Sequence, residues 1–369
     1  MSATIAASVA VAAGHTELRE LPRPALPDSG GLMKVDATGV CGSDWPYYQR
    51  LPGLLGPLIL GHEMVGVVSE IGRAAAERWP VKEGDRVALE EYLPCRQCEY
   101  CLSGDFRFCE ATEIGPQGRR YGSTGLATAP GLWGGYAQYL FLHANTVFHR
   151  LPSDVPARQA TLALPIGNGI EWVIRQGGTR PGDTVVIQGP GQQGLACVIA
   201  AREAGAGCIV VTGLSTPQDL RRLEVARTLG AHHTVQVDEV DVVEAVGAAT
   251  GGGLADLVID CASGGAASVT SALQLARKRG RVLLAAPKGR RLPEFDSDLM
   301  IARYLTVRGM RGHSYESVER AIHLIASRRH PLAALTTHLL GLRDVDLALR
   351  TIGGAGMADA IHMSVDPWQ

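Results

Sequence analysis

The segment Thr184–Gln188 is rich in β-branched residues and runs directly into Gly189-Pro190-Gly191-Gln192-Gln193-Gly194, followed by the helix-forming Leu195–Ala204. Few folds pass from strand to helix through so short a glycine turn. The first glycine permits the tight turn, the second lets backbone approach a pyrophosphate, and the third lets the helix pack on the strand. Unpaired N–H groups at the helix start then face the phosphates. Alone, G-x-G-x-x-G is a weak signal, and its surroundings give it weight. The strand Cys208–Thr212, a helix near Asp219–Leu229, the strand Leu257–Asp260 and another near Val282–Ala285 follow in alternation. Strands separated by helices predict an α/β region with a parallel sheet covered on both faces.

A ribose-binding carboxylate is expected about 20 residues beyond the turn, where this chain has Thr212-Gly213-Leu214-Ser215 and no acid. Nothing in that tetrapeptide repels a 2′-phosphate, and Arg221 and Arg222 follow closely enough to pair with one. Asp219 is the alternative ribose partner. The reading leans to NADP over NAD, with Gly189, Gly191, Gln192, Gln193, Gly194, Gly213, Ser215, Arg221 and Arg222 as the cofactor-binding set.

The first 150 residues have a different texture, rich in Gly and Pro, with β-like runs at Val65–Val68, Arg86–Leu89 and Tyr136–Leu142. They read as an irregular, mostly β domain. Beyond Leu305, an amphipathic helix is predicted at Ser317–Ser327 and a second at Val345–Leu349. With 369 residues, 46% of them hydrophobic, the chain can bury more than one core. A net charge of −2 without a basic block excludes a nucleic-acid or anionic-membrane partner and favours a small-molecule substrate. Met1 to Ala13 is apolar but lacks the basic start of a secretory signal, and no apolar run reaches the ~18 residues of a membrane span. A cytoplasmic location is expected.

Four of the eight cysteines crowd into one turn-rich loop, Cys95, Cys98, Cys101 and Cys109, spaced C-x2-C-x2-C-x7-C. Four thiolates from one loop can close a tetrahedral shell around Zn2+ and leave no position for substrate, which describes a structural site. An iron–sulfur cluster is the alternative. Two other fragments carry ligand chemistry, Gly39-Val40-Cys41-Gly42-Ser43-Asp44 and Gly61-His62-Glu63. Spacing alone does not join them.

These fragments, the four-cysteine loop, Gly84-Asp85-Arg86-Val87, Gly134-Gly135-Tyr136-Ala137 and the glycine turn occur in an order that resembles the zinc-dependent medium-chain alcohol dehydrogenase family, in its sorbitol- and threonine-dehydrogenase-like branch. The resemblance implies a GroES-like, mostly β catalytic domain over 1–155, a doubly wound Rossmann domain over 156–304, and a C-terminal return over 305–369. It places Cys41 and His62 on the catalytic-zinc ligands, Ser43 on the hydroxyl that starts proton removal, and Asp44 on the carboxylate that orients the histidine. Glu63 falls on the acid beside the metal. Two zinc ions per chain, one catalytic and one structural, and a homodimer or homotetramer follow from the likeness.

Two departures stand out. The remaining family ligand should lie near Leu164-Pro165-Ile166-Gly167-Asn168, and leucine binds no metal. We therefore expect Cys41, His62 and Glu63 to hold the catalytic zinc, with Glu171 as a weaker substitute. Pro46 stands where many members carry a relay histidine, so the proton leaves through Ser43, cofactor hydroxyls and water. The expected reaction is hydride transfer between an alcohol, secondary, cyclic or polyol, and NAD(P), reversible through the carbonyl. The rivals are a zinc-poor double-bond reductase of the same superfamily and a non-catalytic nucleotide-binding protein. Trp45, Tyr47, Tyr48, Leu54, Leu55 and Trp133 are candidates for an apolar substrate pocket.

Overall fold

The computed structural model describes residues 4–263, 265–289, 291–292 and 295–369. It divides into two units. One comprises Met1–Leu164, Ile322–Ser327 and Thr336–Gln369, and the other Pro165–Ala321 and Arg328–Leu335.

In the first unit, strands of three to nine residues that bury Val, Leu, Ile and Met build a seven-stranded sheet. Its path runs Thr336–Leu340, His362–Val365, Gly31–Gly39, Glu63–Ile71, Arg86–Leu89, Phe148–Arg150, with Tyr139–Leu142 pairing on Gly31–Gly39 off that path. All pairings are antiparallel except the first, which is parallel. A smaller three-stranded sheet joins His15–Pro22, Thr4–Ala12 and Leu58–Ile59. The apolar N-terminal run is thus a strand, with Ile5, Ala7 and Val9 at most 1% exposed; Met1–Ala3 lie outside the described residues. Val65–Val68 and Arg86–Leu89 fall within observed strands, while Tyr136–Leu142 becomes a strand only from Tyr139.

The second unit holds a six-stranded parallel sheet in the order His233–Gln236, Cys208–Gly213, Thr184–Gln188, Ala255–Asp260, Ala276–Leu284, Thr306–Gly309. In chain order this is 3-2-1-4-5-6, the doubly wound Rossmann arrangement. Its central strands are apolar on both faces: Val185, Val186, Ile187, Val210, Val211, Leu257, Val258 and Ile259 are fully buried, as a sheet covered by helices on both sides requires. Helices Gln192–Glu203 and Pro217–Leu229 follow the first two strands, the latter capped by Thr216, whose side chain accepts from Asp219 N, and ended by Gly230 in the left-handed region.

The boundaries expected at 155 and 304 differ from the observed division. Thr306–Gly309, assigned to the C-terminal return, pairs in parallel with Ala276–Leu284 as the sixth Rossmann strand. The return is made by Thr336–Gln369, because His362–Val365 is fully buried and pairs with Gly39 and Thr38. The amphipathic helices predicted at Ser317–Ser327 and Val345–Leu349 are present as Tyr315–Ser327 and Val345–Ile352. Among the described residues no helix is long and apolar enough to cross a membrane.

Candidate active site and cysteine loop

Sheet register brings the two ligand-bearing fragments together. Gly39 pairs with Glu63 across the antiparallel strands, so Cys41, just past one strand end, arrives beside His62, just before the next. Val40 N donates to Met363 O at 2.9 Å and pins the exit of the first strand. Gly61 precedes His62 with φ +88°, a conformation that favours glycine, and a Cβ there would sit 2.8 Å from the Tyr136 ring. Cys41 Sγ, a His62 ring nitrogen and a Glu63 carboxylate oxygen all lie within 4.8 Å of one another.

The helix Asp44–Leu55 starts at this point and delivers two more groups. Asp44, fully buried, accepts from Tyr136 Oη at 2.8 Å and from Cys41 N at 3.1 Å on one oxygen, and its other oxygen lies 3.0 Å from His62 Nδ1. A carboxylate at Nδ1 places the proton there and leaves the Nε2 lone pair for a metal. Ser43 Oγ stands 3.2 Å from Cys41 Sγ and 3.2 Å from His62 Nε2.

The electrostatics fit a cation. Burial, and then Glu63, push the Cys41 thiol up. Burial opposes a charged His62, yet Asp44 and Glu91 outweigh it and raise the imidazole well above its ordinary range. Three acidic groups, Cys41, Asp44 and Glu63, thus crowd one buried place beside the Glu91–Arg120 pair, an arrangement a divalent ion neutralises.

The cysteine loop has the dimensions of a closed zinc site. A tetrahedral shell with Zn–S of about 2.3 Å separates its sulfurs by about 3.8 Å; Cys95 and Cys101 Sγ are 3.9 Å apart, and Cys98 and Cys101 Sγ 3.5 Å. Backbone N–H groups of Cys95, Arg96 and Cys98 each donate at 3.3 Å to the sulfurs of Cys109, Cys101 and Cys95. The amides of Gln97 and Cys98 pull Cys95 down to about 6, whereas burial pushes Cys101 up to about 12. A metal supplies the charge that lets the second thiol ionise.

In the second unit, Gly189 has φ +92° and a Cβ on it would press on Ala262 at 3.0 Å; a Cβ on Gly194 would overlap Gly189 O, and one on Gly191 would meet open space. Gly189 and Gly194 thus meet the turn and packing constraints, and Gly191 leaves the backbone uncovered. Gln192 begins the following helix. Gln193 turns its side chain elsewhere, donating to Pro165 O at 3.1 Å and accepting from Asn168 at 3.2 Å, so only its backbone faces the turn.

The loop beyond Gly213 carries carboxylates that the tetrapeptide does not reveal. Asp219 accepts from Leu214 N at 2.9 Å, Asp238 accepts from Ser215 N and Oγ at 2.9 and 2.6 Å, and Arg222 lies 3.5 Å from Asp219. Arg221 is exposed on the same helix. The expectation that nothing there repels a 2′-phosphate is thus corrected: tertiary folding returns two acids to the loop.

Leu164 is buried and offers no donor. Glu171 is no substitute, because its carboxylate accepts from Gln176 at 2.7 Å, Ser314 Oγ at 2.7 Å and Ser317 Oγ at 2.9 Å, fastening the start of helix Tyr315–Ser327. Of the expected pocket residues, Tyr48 and Trp133 belong to the hydrophobic core, Trp45, Tyr47 and Leu55 pack at its edge, and Leu54 is largely exposed. Glu91 and Arg120, which the motifs do not include, are brought to the site instead, beside Tyr136 of the Gly134–Ala137 motif. The adjacent acids Glu90-Glu91 after an apolar strand are the one sequence signal for them.

The chain matches the family model for the alcohol dehydrogenase GroES-like domain over residues 28–153 and that for zinc-binding dehydrogenase over residues 194–327. It is 37% identical to the protein of Mycobacterium tuberculosis named "Probable alcohol dehydrogenase adh", over 95% of both chains. It is 30% identical to sorbitol dehydrogenase of Halalkalibacterium halodurans, over 92% of this chain and 93% of that one. A crystal structure from Sinorhizobium meliloti 1021, described as a zinc-binding dehydrogenase bound to NADP, superposes with a TM-score of 0.84 at 26% identity, covering 99% of this chain and 100% of the other.

Proposed function

From the premise that this chain belongs to the zinc-dependent medium-chain alcohol dehydrogenase family and is an NAD(P)-dependent oxidoreductase of alcohols or polyols, we propose that it works at a zinc ion held by Cys41, His62 and Glu63. The observation that carries the assignment is the convergence of these three donors within 4.8 Å around an imidazole whose far nitrogen is tied to Asp44. A second, structural zinc is assigned to Cys95, Cys98, Cys101 and Cys109.

When bound, zinc supplies a Lewis acid that eases ionisation of the alcohol, and NAD(P) accepts the hydride. The protein's own groups do the rest. Ser43 Oγ, beside both Cys41 Sγ and His62 Nε2, receives the substrate proton and passes it outward, since Pro46 offers no relay. Asp44 holds His62 in one tautomer and is itself held by Tyr136. Glu63 compensates for Leu164 by supplying the carboxylate whose charge, with the Cys41 thiolate, would balance that of Zn2+, which favours firm binding at some cost in polarising power. The dehydrogenase reading is favoured over the double-bond reductase by this donor set, and over a non-catalytic protein by the family relatives.

For the cofactor, we favour NADP by a narrow margin. Arg221 and Arg222 flank the adenosine-ribose loop, and Asp219 and Asp238 are engaged by its amides. The NADP-bound relative supports the same choice. We place the protein in the cytoplasm as a homodimer or homotetramer acting on small alcohols and carbonyls.

The decisive experiment is Glu63→Gln with elemental analysis of protein purified without chelator. Zinc should fall from about two to about one per chain, with loss of reduced-cofactor formation across a panel of secondary, cyclic and polyol substrates. Full occupancy with near-native turnover would remove Glu63 from the donor set.

A further inference from the structure

On the side of His62 that carries Nε2, the wall is charged rather than apolar. Glu91 Oε2 lies 3.8 Å from His62 Nε2, and Glu91 Oε1 lies 2.5 Å from Arg120 Nη2; the two side chains are 9% and 5% exposed. The pair is fixed from several directions. Tyr121 N donates to Glu91 O at 2.9 Å, Arg120 N donates to Thr124 Oγ1 at 3.1 Å, and Thr124 Oγ1 donates back to Arg120 O at 2.8 Å. The guanidinium lies 4.7 Å over the Tyr92 ring. Its buried Nη1 has no hydrogen-bond partner among the described residues.

Tyr47, half-buried in the first turn of helix Asp44–Leu55, completes the cluster, with its ring 6.2 Å from that of His62. Its phenol pKa is raised by burial, against the opposing charge of Arg120.

Leaving a buried donor without a partner is costly. Such a group is tolerated where a ligand supplies the missing acceptor. We propose that Glu91, Arg120 and Tyr47 form a polar subsite that binds a second substrate hydroxyl next to the reacting one, selecting vicinal diols and polyols over apolar alcohols. The inference rests on the dehydrogenase reading above. A hydroxyl both donates and accepts, and the pair offers both complements side by side, the Glu91 carboxylate to accept and the Arg120 guanidinium to donate. A substrate carboxylate would satisfy Arg120 but face Glu91 and Glu63. A hydrocarbon would leave Nη1 unpaired.

The test compares 1,2-cyclohexanediol, both isomers, with cyclohexanol on the zinc-loaded full chain. The native kcat/KM ratio for the better diol isomer over cyclohexanol should be about 100-fold, expressed mainly in KM. Glu91→Leu combined with Arg120→Met removes both charges together, a change that buried ion pairs often tolerate, and should bring the ratio to within about threefold of one. Zinc content and melting temperature report whether this variant is folded. If it is not, Arg120→Lys, which keeps the charge but loses the forked donors, should lower the ratio at least tenfold. A native ratio near one, or an unchanged ratio in a folded variant, overturns the subsite and leaves the dehydrogenase reading standing. If neither compound is oxidised the dehydrogenase reading fails, and calorimetric titration of the diols decides the subsite. Binding that is lost in the variant supports it, and no binding to the native chain overturns it.

Discussion

The cysteine loop and the Cys41–His62–Glu63 cluster lie in the same unit and present the same chemistry, yet they are built in opposite ways. The loop draws all four donors from fifteen consecutive residues, with backbone amides aimed at its sulfurs. The cluster draws its donors from two strand ends and its supports from Asp44, Glu91, Arg120 and Tyr136, spread across about ninety residues. A local site is closed by its own turn and serves the fold. A site assembled from distant segments can leave one side open, so it can serve a reaction.

Cysteine replacement should break this comparison most sharply. Cys109→Ser should cost one zinc per chain and lower the melting temperature by about 10 °C or more, because structural zinc binding is folding free energy. Cys41→Ser should cost one zinc and nearly all activity while shifting the melting temperature by only about 3 °C. Equal shifts from the two variants would show that the open site also carries the fold.

Next in size is Asp44→Asn, which keeps shape but weakens the hold on His62 Nδ1. Activity and zinc affinity at the open site should fall about 10- to 100-fold, with the cysteine-loop zinc unaffected in the same metal analysis. Loss of metal from both sites would contradict their independence.

Acid should separate the two sites as well. His362 is fully buried, with Nε2 2.9 Å from Thr161 Oγ1, and a Cβ placed on Gly39 would overlap Glu63 Oε2 and lie 2.9 Å from His362 Cε1, so this imidazole underlies the open site. Burial pushes His362 down to about 3, against an ordinary value of about 6.5. Between these values the unfolded chain binds one more proton than the folded one, so stability is complete above about pH 6.5 and is lost as pH falls towards 3. The slope is about 1.4 kcal/mol per pH unit from this group. Denaturant unfolding of native protein and His362→Gln at several pH values should show the variant's profile flattened by about one proton. An unchanged profile would remove His362 from the acid sensitivity.

The smallest effect concerns the cofactor. Asp238→Asn should raise the NADP-to-NAD ratio of catalytic efficiencies about threefold to tenfold, and Arg221→Ala with Arg222→Ala should lower it by a similar factor. A native preference for NAD of about tenfold or more would reverse the assignment.

Periodicity and turn chemistry made the Rossmann sheet readable: Thr184–Gln188 is observed with the predicted bounds, and the neighbouring strands differ by a few residues. The first unit was less legible, because its strands pair with distant partners, as His362–Val365 does with Gly31–Gly39. Gly31–Gly39, the strand that leads to Cys41, is not among the predicted strands, although the turn Pro27-Asp28-Ser29-Gly30 precedes it.

What the sequence alone determined is whatever depends on neighbours along the chain: the glycine turn, the strand–helix alternation and the four-cysteine loop. Tertiary structure decided the rest. Pairing of Gly39 with Glu63 brings the ligand fragments together, helix Tyr315–Ser327 claims Glu171, Asp219 and Asp238 fold back onto the loop after Gly213, and Glu91 with Arg120 replaces the expected apolar wall. The reason is physical. Backbone conformation follows from adjacent residues, whereas the charge balance of a buried site depends on which distant groups share it, and sheet register sets that.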